Sequence, residues 1–183
     1  MKLAILLIFS IIIGSIWVAK DPRSVKKRFT GGILKAYTII LFVIIPQIIS
    51  FIYFPLPLSI LDPFLVIAGI ISFVLGFILL IWARTTMGKL WGPPGQHDTT
   101  YQKKLITEGP FRYIRNPIYL GAFLLLFGFS LTLRSVFFLL PIFHLIYFMT
   151  QINKEEVYLA RHFGKNYENY RKNVPRLIPL IHL

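Results

Sequence analysis

Long apolar runs separated by short polar segments extend through most of the chain, and five of them have the length expected of bilayer-crossing helices. The first, Leu3 to Ala19, is apolar apart from Ser10 and Ser15. Lys2 in front of it resembles the start of a secretory signal, but Trp17 spoils the minus-three position of a cleavage site, so the run reads as a retained helix. Ile33 to Phe54 follows, with an expected kink at Pro46 and Lys35 able to snorkel at its end. Leu61 to Ala83 comes after the turn Pro55-Leu56-Pro57-Leu58-Ser59. Ile118 to Leu133 and Val136 to Ile152 sit near the short limit for spanning, about 17 residues. They are expected to form a tight helical hairpin around Arg134 and Ser135.

Polar residues then set the orientation. Lys20 to Gly32 carries Lys20, Arg23, Lys26, Lys27 and Arg28, whereas Tyr53 to Asp62 carries no base. Arg84 to Pro117 and Asn153 to Leu183 are basic again. Basic loops stay on the cytoplasmic side, which predicts the amino terminus outside and the carboxyl terminus inside. Lys2 and Arg134 are the two weak exceptions.

A length of 183 residues would suit one soluble domain, but 56% of the chain is hydrophobic and gathered into long runs. The predicted fold class is therefore all-α: a polytopic integral membrane protein with about five transmembrane helices and a cytoplasmic carboxy-terminal helical segment. One domain covers residues 1–183, with three transmembrane helices in 1–83 and a cytoplasmic loop, helical hairpin and tail in 84–183. The net charge of +13 does not point to nucleic acid, because the bases lie between apolar runs instead of forming one stripe. With no cysteine there is no disulfide, thiolate metal site or cysteine nucleophile. No metal site and no obligate protein partner is expected. Neither a Rossmann nor a Walker glycine-rich loop occurs.

Candidate chemistry gathers in two segments. Gly109-Pro110-Phe111-Arg112-Tyr113-Ile114-Arg115-Asn116-Pro117-Ile118-Tyr119-Leu120-Gly121 sets two arginines and two tyrosines at the mouth of an apolar helix. Charge at that depth usually serves a ligand. Asn116 and Pro117 fit the first positions of a helix, as N-cap and N1, and a helix start also presents free amides to an anion. Arg115 is placed to add a bidentate carboxylate contact, although anchoring at the cytoplasmic edge accounts for Arg112 and Arg115 equally simply. Tyr119, four residues past Arg115, shares its helical face or serves as an interfacial anchor.

The second segment closes the last span. His144, Gln151, Glu155 and His162 are separated by seven, four and seven residues. At ~100° per residue they fall within about 20° of a common line, flanked by Tyr147 and Tyr158. Such a stripe implies a wet or ligand-filled crevice if the helix continues past Ile152. A histidine in a span also hydrogen-bonds neighbouring helices with no further role. Glu155 continues the line, while Glu156 is turned away by ~100°, toward lysine or arginine. Phe163, Tyr167 and Tyr170 recur at helical spacing, which predicts an amphipathic tail helix against the membrane or over the loop. Val174-Pro175-Arg176-Leu177-Ile178-Pro179 ends it.

The order Gly88-Lys89-Leu90-Trp91, then Leu105 to Gly121, then Glu155-Glu156 and Phe163-Gly164-Lys165-Asn166-Tyr167 resembles the isoprenylcysteine carboxyl methyltransferase family and its phospholipid methyltransferase relatives. The resemblance covers about the last 100 residues. It implies an integral-membrane enzyme that uses S-adenosylmethionine from the cytoplasm and a lipid or lipidated acceptor from the bilayer. Asn116 stands where the isoprenylcysteine enzymes usually carry histidine, and Lys103 where a histidine often precedes the Leu-Ile pair. The first departure removes a proton carrier, for which His97 substitutes only if the loop folds back.

S-Adenosylmethionine presents a carboxylate, an ammonium, an adenine and a sulfonium, and so needs a cation or helix start, an acid, and aromatic walls. The cofactor-binding candidates are Gly109, Pro110, Tyr113, Arg115, Asn116, Pro117, Tyr119, Glu155 and Glu156, and the catalytic candidates Arg115, Tyr119, His144 and Glu155. A carboxylate acceptor needs no base, whereas an ammonium acceptor must first lose a proton, to His144 or Glu155. An NADPH-dependent membrane reductase of the sterol type and a non-catalytic scaffold or transporter are the rival readings.

Overall fold

The structure is a computed structural model that describes residues 32–54, 56–57, 59–88 and 104–179. The expected helix Leu3–Ala19, the basic segment around Arg28, the side chain of Lys35, and His97 and Lys103 lie outside the described residues. The order is α1 (Gly32–Tyr53), α2 (Asp62–Met87), a short 3-10 turn (Gly109–Arg112), α3 (Pro117–Leu133), α4 (Leu140–Phe163) and α5 (Lys165–Asn173), with no strand among the described residues. By length and composition α2 is the one described helix able to cross a membrane, and α3 is a shorter apolar helix. Phe64, Ile67, Ile71, Val74 and Ile78 leave α2 exposed, the surface expected of a helix that meets lipid instead of water.

Glycines on two facing seams draw α2 and α3 together. A Cβ on Gly76 would stand 2.6 Å from the carbonyl oxygen of Gly121 and 2.6 Å from the amide nitrogen of Leu125, and one on Gly69 would stand 2.7 Å from the nitrogen of Thr132. Each pair, Gly69 with Gly76 and Gly121 with Gly128, is seven residues apart and therefore on one helical face. Small residues permit this approach of two backbones, and dispersion replaces a hydrophobic drive that is absent in lipid. Phe73, Phe129 and Leu133 fill the adjacent core.

At the end of the bundle away from the candidate site, Arg134 joins the α1–α2 loop to the α3–α4 turn. Its Nε lies 2.9 Å from Asp62 Oδ1, and its guanidinium donates to the carbonyls of Pro57 at 2.6 Å and Leu56 at 3.1 Å. The residue adopts the left-handed conformation, φ 53°, at the C-cap of α3. Arg134 is thus a structural fastener, which accounts for a base in a turn where the charge pattern predicts none.

The expected span Val136–Ile152 is corrected at both ends. Val136 to Leu139 form a turn, α4 starts at Leu140 with Pro141 in its first turn, and it runs unbroken to Phe163. The expected single tail helix is two helices, because Gly164 (φ 52°) ends α4 and redirects the chain into α5. Of the two placements expected for the tail's tyrosines, the one over the loop fits α5: Tyr167 is 1% exposed, and Tyr170 donates its hydroxyl to the carbonyl of Phe111 at 2.7 Å. Val174, extended before Pro175 as a residue preceding proline prefers to be, ends α5.

Candidate functional site

Four polar side chains converge where the start of α3, the far half of α4 and the tail meet. Glu156 is their hub. Its Oε1 accepts from Arg115 Nε at 3.0 Å and from Asn116 Nδ2 at 3.1 Å. Its Oε2 accepts from Arg176 Nε at 3.1 Å and from the Arg176 terminal nitrogen at 2.7 Å. The side chains of Arg115 and Glu156 are 6% and 7% exposed. Burial by itself would raise the carboxyl pKa, but the hydrogen bonds from Arg176 and Arg115 outweigh it and hold Glu156 below the ordinary value of 4.5.

The tail completes this cluster with its backbone. Arg115 donates from its amide to the carbonyl of Pro175 at 2.9 Å, and Asn116 from its amide to that of Arg176 at 3.2 Å. Arg115 also donates from one terminal nitrogen to the carbonyls of Arg171 and Val174, both at 2.8 Å. Asn116 occupies the N-cap position of α3 without capping it through its side chain. Its amide group goes instead to Glu156 and to the carbonyl of Arg176 at 3.2 Å. The N-cap expectation holds for position and fails for the bond: the Nδ2 group is held by two acceptors, the Glu156 carboxylate and the Arg176 carbonyl, and these fix the plane of the amide without turning Oδ1 onto a helix N–H.

One residue before the hub a second network begins. Tyr119, 5% exposed, donates its hydroxyl to Glu155 Oε1 at 2.7 Å. Phe148 meets the Tyr119 ring edge-on at a centroid distance of 5.3 Å, and His144 meets Phe148 edge-on at 5.0 Å. A continuous path, Glu155–Tyr119–Phe148–His144, therefore runs from the polar end of α4 toward its apolar middle. Because α4 is unbroken past Ile152, the line through His144, Gln151 and Glu155 is a real helical face: all three are half-buried, while His162 at its end is exposed.

The remaining candidates form a shelf at the end of α2. Gly109 has φ 59°, and a Cβ there would meet the side chain of Thr86. Pro110 is buried and its carbonyl accepts the amides of Tyr113 at 3.1 Å and Ile114 at 3.2 Å. Phe111 and Ile106 pack on Ala83, which seats the shelf on α2. Tyr113 is 57% exposed with its ring centroid 6.2 Å from that of Trp82. Pro117 is fully buried at the start of α3. The structure thus unites Arg115, Asn116 and Glu156 in one network and Tyr119, Glu155 and His144 in another.

Sequence reasoning missed Arg176 and the tail carbonyls. The only signal was a cation directly after Val174-Pro175, in a segment that reads as a simple helix stop. Glu156, expected to turn away from the line toward lysine or arginine, does so, and it meets Arg115 and Arg176 in the buried cluster.

The chain belongs to the phospholipid methyltransferase family, whose family model matches residues 64–166. Its likeness runs to the isoprenylcysteine carboxyl methyltransferases. It is 41% identical over 80 residues to protein-S-isoprenylcysteine O-methyltransferase of Schizosaccharomyces pombe, an alignment covering 42% of this chain and 34% of that protein. With the protein of the same name from Dictyostelium discoideum it shares 31% over 116 residues, 62% of this chain and 49% of the relative. Methanethiol S-methyltransferase of Crocosphaera subtropica is 38% identical over 88 residues, 43% and 30% of the two chains. The chain therefore spans half or less of these relatives. A solved eukaryotic intramembrane Ras methyltransferase, isoprenylcysteine carboxyl methyltransferase, superposes with a TM-score of 0.69 at 23% identity, over 90% of this chain and 60% of that one. That likeness establishes a shared helical fold.

Proposed function

We propose that the protein is an S-adenosylmethionine-dependent methyltransferase that works at a membrane on a lipid or lipidated acceptor presenting a carboxylate or an amine. The observation that carries this reading is the 2.7 Å bond between Tyr119 and Glu155 beside the ring of Phe148. It sets a half-buried carboxylate against aromatic walls, the donor set that suits a cationic amphiphile. When bound, S-adenosylmethionine supplies an electrophilic methyl group.

Glu155 takes the ammonium or ribose hydroxyls of the cofactor, and Tyr119 orients Glu155. The Gly109 to Tyr113 shelf and the turn at Asn116 and Pro117 form the neighbouring wall. Arg115 and Glu156 serve the site by fixing that turn against α4, since their polar atoms already meet each other and the tail. Methyl transfer depends chiefly on positioning and electrostatics, so a rigid frame around one acid suffices for a carboxylate acceptor. For an amine acceptor, His144 on the membrane side of the path takes the proton.

The accompanying topology has about five crossings, the amino terminus outside, and the site facing the cytoplasm. Its support is the basic content of the segments after the first, third and fifth apolar runs. Titration of the purified protein with S-adenosylmethionine and with NADPH, followed by thermal stabilisation, tests the cofactor. Stabilisation by the first alone, and transfer of labelled methyl into extracted lipids or lipidated peptides, is the expected outcome. Stabilisation by NADPH alone would sink the reading.

A further inference from the structure

We propose that Arg176, in the tail beyond the matched family region, is a positioning residue: it acts through Glu156 to set Tyr119 against Glu155. The inference rests on the proposed cofactor site and adds to it a residue outside residues 64–166. A carboxylate offers about four lone-pair directions, and in Glu156 they are filled from two sides. Arg115 and Asn116, on the α3 side, take Oε1; Arg176, on the tail side, takes Oε2 with two bonds. The other Oε2 contact, Arg115 at 3.5 Å, is long. Without Arg176, Oε2 would keep that contact alone.

The lever arm is short. Glu156 is joined directly to Glu155, and Asn116 lies three residues, close to one helical turn, before Tyr119. Rotating the Glu156 carboxylate to recover bonds to Oε2 must pull on α4 or on the start of α3, and those are the two elements that carry Glu155 and Tyr119. Arg176 also reaches Asn153 Oδ1 at 2.7 Å, one turn back along α4, so its guanidinium grips that helix at two levels. Its carbonyl accepts both the amide and the side chain of Asn116. One residue thus holds α4 by its side chain and α3 by its backbone. Leu177 beside it packs on Tyr119 and Ile152.

The experiment is a double-mutant cycle on the purified full chain in nanodiscs, with S-adenosylmethionine affinity and amide hydrogen exchange as readouts. Arg176→Met is expected to weaken binding about tenfold and to speed exchange at residues 115–120 and 153–157. Arg176→Lys, which keeps charge and loses the fork, should recover part of both. In a Glu156→Gln background, Arg176→Met should change affinity less than about twofold. Additive losses would mean that Arg176 acts independently of Glu156 and overturn the proposal, as would faster exchange with unchanged affinity. If the unaltered protein binds no S-adenosylmethionine, the proposed function falls, and exchange decides alone: protection at 115–120 and 153–157 that is indifferent to Arg176 overturns the inference.

Discussion

Glu155 and Glu156 are consecutive in the chain and belong to separate networks, the first accepting from Tyr119 and the second from Arg115, Asn116 and Arg176. The ~100° turn between neighbours on a helix makes this division possible. It allows one acid to serve a ligand while the other secures the frame, and it separates the effects of their replacement.

Glu155→Gln should weaken S-adenosylmethionine binding by roughly ten- to a hundredfold, the loss of about 1.5 to 3 kcal/mol for a charge-assisted bond. Tyr119→Phe should act in the same direction and less strongly, since it releases the carboxylate without removing it. Isothermal titration on both variants, with detergent melting as a control for folding, checks the order. Normal binding by Glu155→Gln would remove the acid from the site.

Glu156→Gln is expected to act on the fold first. Removing one partner from a buried ion pair costs about 3 to 5 kcal/mol, and here two guanidiniums would lose their counter-charge. The readout is the melting midpoint in detergent, which should fall further than for Glu155→Gln. Equal midpoints would contradict the enclosure of Glu156.

Acid should loosen the same cluster. The folded pKa of Glu156 is depressed below 4.5, so its contribution to stability is complete above the unfolded value and is lost as pH falls through the folded one. Melting midpoints recorded from neutral pH down past the ordinary carboxylate range should decline for the unaltered protein. In Glu156→Gln that decline should be shallower.

Gly76→Ala should be severely destabilising for so small a change, because the new methyl would stand 2.6 Å from backbone atoms of Gly121 and Leu125 that have no rotamer to escape into. Overpacking of this kind costs about 1 to 3 kcal/mol or more. Thermal melting of the variant beside Leu75→Ala, at an exposed neighbouring position, gives the comparison.

For the topology, reporters active only in the cytoplasm should work when fused after Lys104 and fail after Pro57. Activity after Pro57 would invert the orientation and place the candidate site on the opposite side of the membrane.

Much of the fold was legible because apolar runs carry it directly. The expected runs Leu61–Ala83 and Ile118–Leu133 correspond to α2 and α3 with shifts of a few residues at most. Helical spacing singled out Tyr119 and Glu155 separately and did not pair them: it set Tyr119 on one face with Arg115, which precedes α3 and bonds Glu156 while Tyr119 bonds Glu155. What spacing could not supply was anything made by the tail: the carbonyls of Pro175 and Arg176 accept the amides of Arg115 and Asn116 across about 60 residues, and no periodicity reports such a contact. The side chain of Asn116 was misread for a related reason. Local rules aim its Oδ1 at the nearest helix amide, whereas its Nδ2 is held across the fold by the Glu156 carboxylate and the Arg176 carbonyl.

The glycine seam decides which part of the molecule is fixed against the rest. Along Gly69, Gly76, Gly121 and Gly128, main chain lies on main chain, so α2 and α3 have one register and behave as a single fixed post. At its polar end α4 is pinned to that post through Glu156, which holds Arg115 and Asn116, so Tyr119 and Glu155 sit in a socket whose two walls keep their spacing, while Phe143, Ile146 and Tyr147 leave the other half of α4 exposed.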